Sequence, residues 1–246
     1  MLEICVDSLP SARAAITAGA DRLELCSALA VGGLTPYTAL LRQIRAESDI
    51  PVRCLMRHRA GDFLYSPEEV DLLCLQIAEL RQAGADGFVI GCLTADGALD
   101  KTAMKPLIEA CSGCGITLHR CIDVSADPEQ TWLDAMGLGI DTVLTSGAAA
   151  SCTAGMETIR KLITLRDAHN GPEVLIGAGV NAQVISRFLA EVPGARAFHM
   201  SGKTEIESCM RFRRQGVPMG LPGLDEWHIQ QTDPLAVEAA AALLRK

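Results

Sequence analysis

Charged and thiol side chains recur where short apolar segments of this 246-residue chain end. Glu24 and Cys26 close one such segment and Arg57 closes another, while His119 and Asp123 lie at and just beyond the end of a third. Carboxylates and a histidine can transfer protons, and a guanidinium can bind an anion. The set predicts acid–base chemistry on an anionic ligand, provided that the fold brings these segment ends together.

Eight short apolar runs bounded by turn residues predict eight strands, and helical patterns with good start signals lie between them. Strictly alternating strands and helices favour parallel βαβ units. The predicted strands are Leu2–Asp7, Arg22–Cys26, Val52–Arg57, Gly87–Gly91, Thr117–Cys121, Thr142–Ser146, Val174–Gly179 and Ala197–Ser201.

Parallel βαβ units can form either a closed barrel or an open, doubly wound sheet, and an internal repeat favours the barrel. The joint Ala18–Asp21 before the second strand recurs as Ala83–Asp86 before the fourth, with weaker copies before the sixth and the eighth. A fourfold (βα)₂ pattern favours a closed (β/α)₈ TIM barrel. We therefore predict one domain over residues 1–246, with a long loop at 202–231 after the eighth strand and a C-terminal helix at 232–246.

A doubly wound parallel α/β sheet is the alternative, and residues 177–182 favour it because they read G-x-G-x-x-A. The dinucleotide fingerprint also requires an acidic residue at the end of the next strand, and that strand ends in His199-Met200-Ser201. We expect no nucleotide cofactor. In a barrel, the same glycines would follow the seventh strand, where small-anion sites are common.

Strand alternation predicts which side chains enter the barrel. Apolar neighbours must face the helices, which leaves Glu3, Cys5 and Asp7 inward on the first strand. On the second strand, Glu24 and Cys26 are inward. Arg57 is predicted inward on the third strand. On later strands the inward set is Thr117, His119, Cys121, Thr145, His199 and Ser201, and Asp123 continues the face of the fifth strand.

Charges inside a barrel must pair, contact water or serve a ligand, because an unpaired buried charge is costly. For Glu3, at the start of its strand, a structural ion pair is the favoured interpretation. Near the carboxyl ends, where barrel enzymes hold their chemistry, Glu24, His119 and Asp123 are candidate catalytic residues. The candidate substrate-binding residues are Arg57, Arg59, Thr145, Ser146, Gly147, Gly177, Gly179 and Ser201.

Cys5 and Cys26 differ from the other thiols because both are predicted inward on adjacent strands and near the same end. Two such thiols could hold a soft ion such as Cu(I). The alternative is that both are small buried side chains without a ligand.

Composition excludes several classes of partner. The net charge of −8 without a basic run argues against nucleic acid. No signal peptide or apolar stretch of membrane-spanning length occurs, so we expect a cytoplasmic protein without a membrane partner. The ten cysteines are scattered singly through apolar segments, which predicts reduced thiols.

Several long segments of the chain form one ordered pattern, and they are Leu2–Ser8, Gly19–Cys26, Gly32–Pro36, Arg57–Ser66, His119-Arg120 with Asp123, and Leu144–Gly147. Taken together, these segments resemble the CutC family, which is named for copper homeostasis. The resemblance implies a TIM barrel, a cytoplasmic location and a homo-oligomer, dimer or tetramer. It also implies Cu(I) binding, with Cys5 and Cys26 corresponding to the paired cysteines.

Two hypotheses remain open on the sequence. One is a copper-homeostasis protein that binds Cu(I), so that its partner is a copper ion. The other is a TIM-barrel enzyme of unknown reaction on a small anionic or sugar-like substrate.

Overall fold

Eight parallel strands, hydrogen-bonded in chain order from β1 to β8, form a closed barrel, and β1 pairs with β8 to complete it. The structure is a computed structural model that describes residues 1–217, 219–220 and 226–245. The predicted TIM barrel is confirmed, and the alternative of a doubly wound open sheet is wrong. The strands are β1 (Leu2–Val6), β2 (Arg22–Leu25), β3 (Val52–Leu55), β4 (Gly87–Ile90), β5 (Gly115–Leu118), β6 (Thr142–Thr145), β7 (Glu173–Ile176) and β8 (Ala197–Met200).

Helices cover the outside of the barrel and begin at side chains that cap their free N–H groups. Ser66 and Glu69 form a reciprocal capping box at the start of α3, and Asp127 and Asn181 cap α5 and α7. The helices are α1 (Leu9–Thr17), α2 (Thr38–Glu47), α3 (Pro67–Gln82), α4 (Lys101–Ala110), α5 (Pro128–Gly137), α6 (Met156–His169), α7 (Ala182–Glu191) and α8 (Pro234–Leu244).

The repeated joints connect each even-numbered strand to the strand before it. Gly19, with a φ of 91°, ends its helix in a left-handed conformation that suits glycine, and the other three joint glycines also have positive φ. The carboxylates of Asp21, Asp86 and Asp141 each accept a hydrogen bond from a backbone N–H at the start of the preceding odd-numbered strand. Each joint therefore connects the beginning of an even-numbered strand to the beginning of the odd-numbered strand before it. This explains why the joint recurs once every two strands.

Ion pairs lie at the amino-terminal end of the barrel. Glu3 forms a buried pair with Arg22, as the structural interpretation predicts, and Arg53 donates to the half-exposed Asp141 at 2.7 Å. Gly115 leaves room for Arg53, because a Cβ there would lie 2.5 Å from its Nη2 atom. Charged side chains therefore occupy the end of the barrel opposite the carboxyl ends of the strands.

The segment after β8 differs from its prediction as a long loop over residues 202–231. It contains an antiparallel hairpin of β9 (Lys203–Glu207) and β10 (His228–Thr232). Both strands are mostly exposed and polar, which hid the alternation that identifies a strand. The predicted C-terminal helix corresponds to α8. Residues 218, 221–225 and 246 of the two predicted segments lie outside the described residues.

No helix in the described ranges is both long and apolar enough to cross a membrane.

Candidate functional site

A cavity of about 560 Å³ opens at the carboxyl ends of the strands. Its volume lies within the range of small-molecule sites. Among the predicted site residues, those that line it are Cys5, Glu24, Arg57, His119, Asp123, Gly179 and Ser201.

His199 forms the centre of the cavity floor, between two carboxylates. Its Nδ1 atom lies 2.8 Å from Oε1 of Glu3, and its Nε2 atom lies 3.8 Å from Oε2 of Glu24. Burial opposes a charge on the ring, but Cys5, Glu24 and Glu3 raise the pKa of His199 well above its usual value. The sequence analysis placed His199 inward but did not count it as a site residue, although it shares the inward face of β8 with Ser201.

Burial would raise the pKa of Glu3, but the hydrogen bond with His199 and the charge of Arg22 together lower it to about 2. Burial raises the pKa of Glu24, and the charge of His199 opposes that rise only in part. The floor is a network of two carboxylates, one imidazole and one guanidinium, and its opposite charges compensate one another.

The two predicted metal-binding thiols adjoin this network. Cys5 and Cys26 pack in one buried cluster with Leu55. The Cys26 thiol lies 3.3 Å from Oε2 of Glu24, and burial together with this carboxylate raises the pKa of Cys26 well above its usual value. Cys26 does not line the cavity.

A candidate metal-binding group includes one of these thiols. The Sγ atom of Cys5, a carboxylate oxygen of Glu24 and a ring nitrogen of His199 all lie within 4.8 Å of one another. Cys26 is not a member of this group. The floor thus offers one soft sulfur ligand together with a nitrogen and an oxygen.

Arg57 forms one wall of the cavity and is 9% exposed. Its Nη1 atom donates to the carbonyls of Val31 and Gly33, and its Nη2 atom donates to that of Gly61. Within the described residues no carboxylate forms an ion pair with Arg57, and its buried Nε–H has no hydrogen-bond partner. The wall therefore carries a positive charge that its surroundings leave uncompensated.

His119 lies on the same wall, and its protonation follows from one hydrogen bond. The backbone N–H of Cys121 donates to Nδ1 at 3.1 Å, so Nδ1 carries a lone pair and the proton resides on Nε2. Burial and the charge of Arg57 lower the pKa of His119 to about 3. The buried Nε2–H has no acceptor among the described residues. His119 is thus a neutral hydrogen-bond donor.

Asp123 lines the cavity, but its carboxylate is fully occupied. It accepts hydrogen bonds from the hydroxyl of Thr145, the Nε–H of Arg120, and the backbone N–H groups of Ser146 and Ala148. Four donors therefore hold this carboxylate in place beside the loop after β6. The arrangement suits a positioning role, and the acid–base role expected from the sequence stays a prediction.

Thr145 does not point into the barrel, and its predicted inward direction is wrong. Leu144 lines the cavity, so its neighbour Thr145 faces the opposite way and holds Asp123. Cys121 is also misassigned, because the chain enters a short 3₁₀ turn at Arg120–Val124 and Cys121 packs into the apolar layer outside the barrel.

Four further predicted residues do not line the cavity. Arg59 pairs with Asp62 and Glu69. Gly147 is required because a Cβ would lie 2.2 Å from the carbonyl oxygen of Gly155. A Cβ at Gly177 would lie 2.7 Å from the Cδ1 atom of Leu144, so this glycine serves packing. The fourth is Ser146, whose hydroxyl donates to Ala149 and accepts from Arg120.

The rim of the cavity includes residues that the sequence analysis did not single out. Ala178 has a φ of 73°, an unusual conformation for an alanine, and it precedes Gly179 in the loop after β7. Lys203 at the start of β9 also lines the rim, beside Ser201. Phe63, whose ring centroid lies 4.7 Å from that of His119, completes the wall.

We expect His119 to remain neutral, with its proton on Nε2, from pH 7 down to about pH 4. An unfolded chain protonates this ring below pH 6.5, whereas the folded pKa is about 3, so stability contributed by His119 falls as pH drops through this interval. Side-chain ¹H–¹⁵N NMR measures the tautomer directly, and His119→Gln assigns the signal. A ring that becomes imidazolium with a midpoint near pH 6 would contradict this account.

Comparisons with known proteins agree with the resemblance noted from the sequence. The CutC family model matches residues 1–204. A CutC family protein of Pasteurella multocida is 38% identical over 245 residues, covering 100% of this chain and 99% of the relative. A human protein named copper homeostasis protein cutC homolog is 37% identical, covering 100% of this chain and 89% of the relative.

The structural comparison agrees as well. The crystal structure assigned to CutC from Streptococcus agalactiae matches with a TM-score of 0.75 at 26% identity, covering 82% of this chain and 98% of that one. The thiamine phosphate pyrophosphorylase of Pyrococcus furiosus, at 16% identity and a TM-score of 0.52, shares the fold alone. On its full-length similarity to these relatives and its match to the family model, the chain belongs to the CutC family.

Proposed function

We propose that this protein acts in copper homeostasis by binding Cu(I) on the cavity floor, with Cys5 and Cys26 as thiolate ligands. The name of the human relative supports the role. The observation that carries the proposal is the approach of the Cys5 sulfur, Glu24 and His199 to within 4.8 Å of one another. The Cys26 sulfur, 3.3 Å from Oε2 of Glu24, adjoins this group as a second thiol.

The chemistry of the donors fits Cu(I) in this role as cargo. Cu(I) prefers soft thiolate ligands, and two thiolates suit it well. Each thiol must lose its proton on binding, and the raised pKa of Cys26, caused by burial and by Glu24, opposes that loss at Cys26. His199, with its raised pKa, lies beside both Cys5 and Glu24 and can offset the negative charge of a bis-thiolate complex.

We expect Cys5→Ser and Cys26→Ser each to weaken Cu(I) binding by at least about tenfold, and the double variant to remove it, because sulfur ligands are lost. Anaerobic titration against a competing Cu(I) chelator such as bicinchoninate measures the affinity. Cys209→Ser is the matched control, since Cys209 is an exposed thiol outside the cavity. Unchanged affinity in the double variant would rule out the proposal.

A second candidate function is that of an enzyme acting on a small anionic or sugar-like substrate. Arg57 favours it, because a buried guanidinium without a carboxylate partner is costly unless a ligand supplies the negative charge. Glu24 would transfer a proton, and the neutral Nε2–H of His119 would polarise the substrate. Asp123 would position the loop after β6. Copper binding uses the floor of the cavity, whereas this function uses the wall together with Glu24 on the floor.

The anion proposal predicts that millimolar oxalate stabilises the protein and that Arg57→Met removes this stabilisation. Binding to the folded state raises the melting temperature in proportion to RT ln(1 + [L]/Kd), so a loss of affinity appears as a lost shift. Differential scanning fluorimetry provides the measurement. Arg42→Met is the matched control, since Arg42 is exposed on α2. An equal shift in wild type and Arg57→Met would contradict the proposal.

The cellular location and assembly of the protein follow the same family argument. We propose a cytoplasmic homo-oligomer, dimer or tetramer, that binds no nucleic acid. The net charge of −8 supports the last point. Exposed apolar side chains after β8 support assembly, and they are Ile206, Met210, Phe212, Val217 and Ile229.

A further inference from the structure

We propose that the cavity enolises a small 2-oxo acid: it removes a proton from the carbon beside the ketone and stabilises the enolate that forms. The inference rests on the second candidate function and specifies its substrate class and reaction. Three side chains carry it, and each lines the cavity: Arg57, His119 and Glu24.

The wall supplies the donors for the oxygen atoms. The Nε–H of Arg57 and the Nε2–H of His119 are both buried and have no acceptor among the described residues. Leaving a buried donor without an acceptor is energetically unfavourable. Two such donors on one cavity wall indicate that a ligand supplies the acceptors. In a 2-oxo acid the ketone and the carboxylate are on neighbouring carbons. Their oxygens can lie side by side in one plane and accept hydrogen bonds from two donors.

The charges of the two donors suit this ligand. Arg57 contributes a full positive charge for the carboxylate, and it lacks an ion-pair partner within the described chain. His119 contributes a neutral N–H, because its Nδ1 atom accepts the backbone N–H of Cys121. A neutral imidazole can donate to a ketone that becomes an enolate without transferring its own proton in the ground state.

The positions of both donors are fixed before a ligand arrives. Three backbone carbonyls hold Arg57, and its guanidinium carbon lies 5.4 Å from the ring centroid of Phe63. The same ring packs against His119. Preorganised donors stabilise developing charge most effectively because they need no rearrangement during the reaction.

The floor supplies the proton acceptor. Glu24 lines the cavity, its Oε2 atom accepts from the Cys26 thiol at 3.3 Å, and His199 lies beside it. These neighbours hold one carboxylate oxygen and leave the other for the substrate. Unlike Asp123, Glu24 is therefore not saturated with donors.

The step balances without an oxidant or a further reactant. The C–H bond beside the ketone breaks, the proton moves to a carboxylate oxygen of Glu24, and the electron pair forms a C=C bond. The former ketone π electrons reside on oxygen, held by His119 and Arg57. Return of a proton from Glu24 to carbon regenerates the 2-oxo acid, so in D₂O the carbon gains deuterium.

The test measures deuterium exchange at the methyl group of pyruvate and at C3 of 2-oxobutyrate by ¹H NMR in D₂O with EDTA. Oxalate, a planar mimic of the enolate, measures binding independently by titration calorimetry. We expect the wild-type protein to exchange at least 100-fold faster than buffer. Glu24→Gln should lose about 100-fold or more of this rate while its oxalate affinity changes less than about threefold.

Further variants distinguish a chemical role from misfolding or contamination. Glu24→Asp retains a carboxylate and should retain measurable exchange, and His119→Phe should weaken both oxalate binding and exchange. Glu109→Gln, purified in parallel, is the control because Glu109 is exposed on α4, and its exchange rate should equal that of wild type. If Glu24→Gln exchanges as fast as wild type, the assignment of Glu24 is overturned.

The remaining outcomes distinguish the enolisation proposal from the broader proposal that the cavity binds an anionic ligand. Oxalate binding that depends on Arg57, without exchange of either substrate, overturns enolisation and leaves the anionic-ligand function standing. Absence of both binding and exchange overturns both.

Discussion

The buried guanidinium of Arg57 organises the carboxyl end of this barrel. Its donors reach carbonyls of Val31 and Gly33 in the loop after β2 and of Gly61 in the loop after β3. The two loops are therefore held by one cation, and the wall of the cavity depends on it. These contacts use both Nη atoms of the guanidinium. The Nε–H has no acceptor among the described residues, so it remains available to a ligand.

The other buried charges are paired with one another, and within the described part of the chain no carboxylate pairs with Arg57. On the floor, Glu3 and Glu24 face Arg22 and His199, which compensate them. Asp123 is held by donors from its own loop region. The thiols adjoin the floor, whereas Arg57 lies on the wall, so copper binding would use the floor and anion chemistry would use the wall together with Glu24.

The architecture could be predicted from the sequence because the joint containing Gly19 and Asp21 recurs and because strand alternation is regular. The same alternation located Glu24 and Arg57 correctly at the cavity. It failed for Thr145 and Cys121, where an inward leucine and a 3₁₀ turn break the expected parity. The pairing of His199 with Glu3 spans 196 positions and depends on closure of β8 against β1, which strand patterns alone cannot reveal.

We propose that Arg57 and His119 jointly bind an anionic ligand through the two N–H groups that have no acceptor among the described residues. The most direct measurement is a crystal structure of the protein purified from its source organism in buffers free of phosphate, sulfate and carboxylates. We expect density for an organic anion with one oxygen within hydrogen-bond distance of Arg57 Nε and another near His119 Nε2. A carboxylate side chain of the same or a neighbouring subunit filling this position would contradict it.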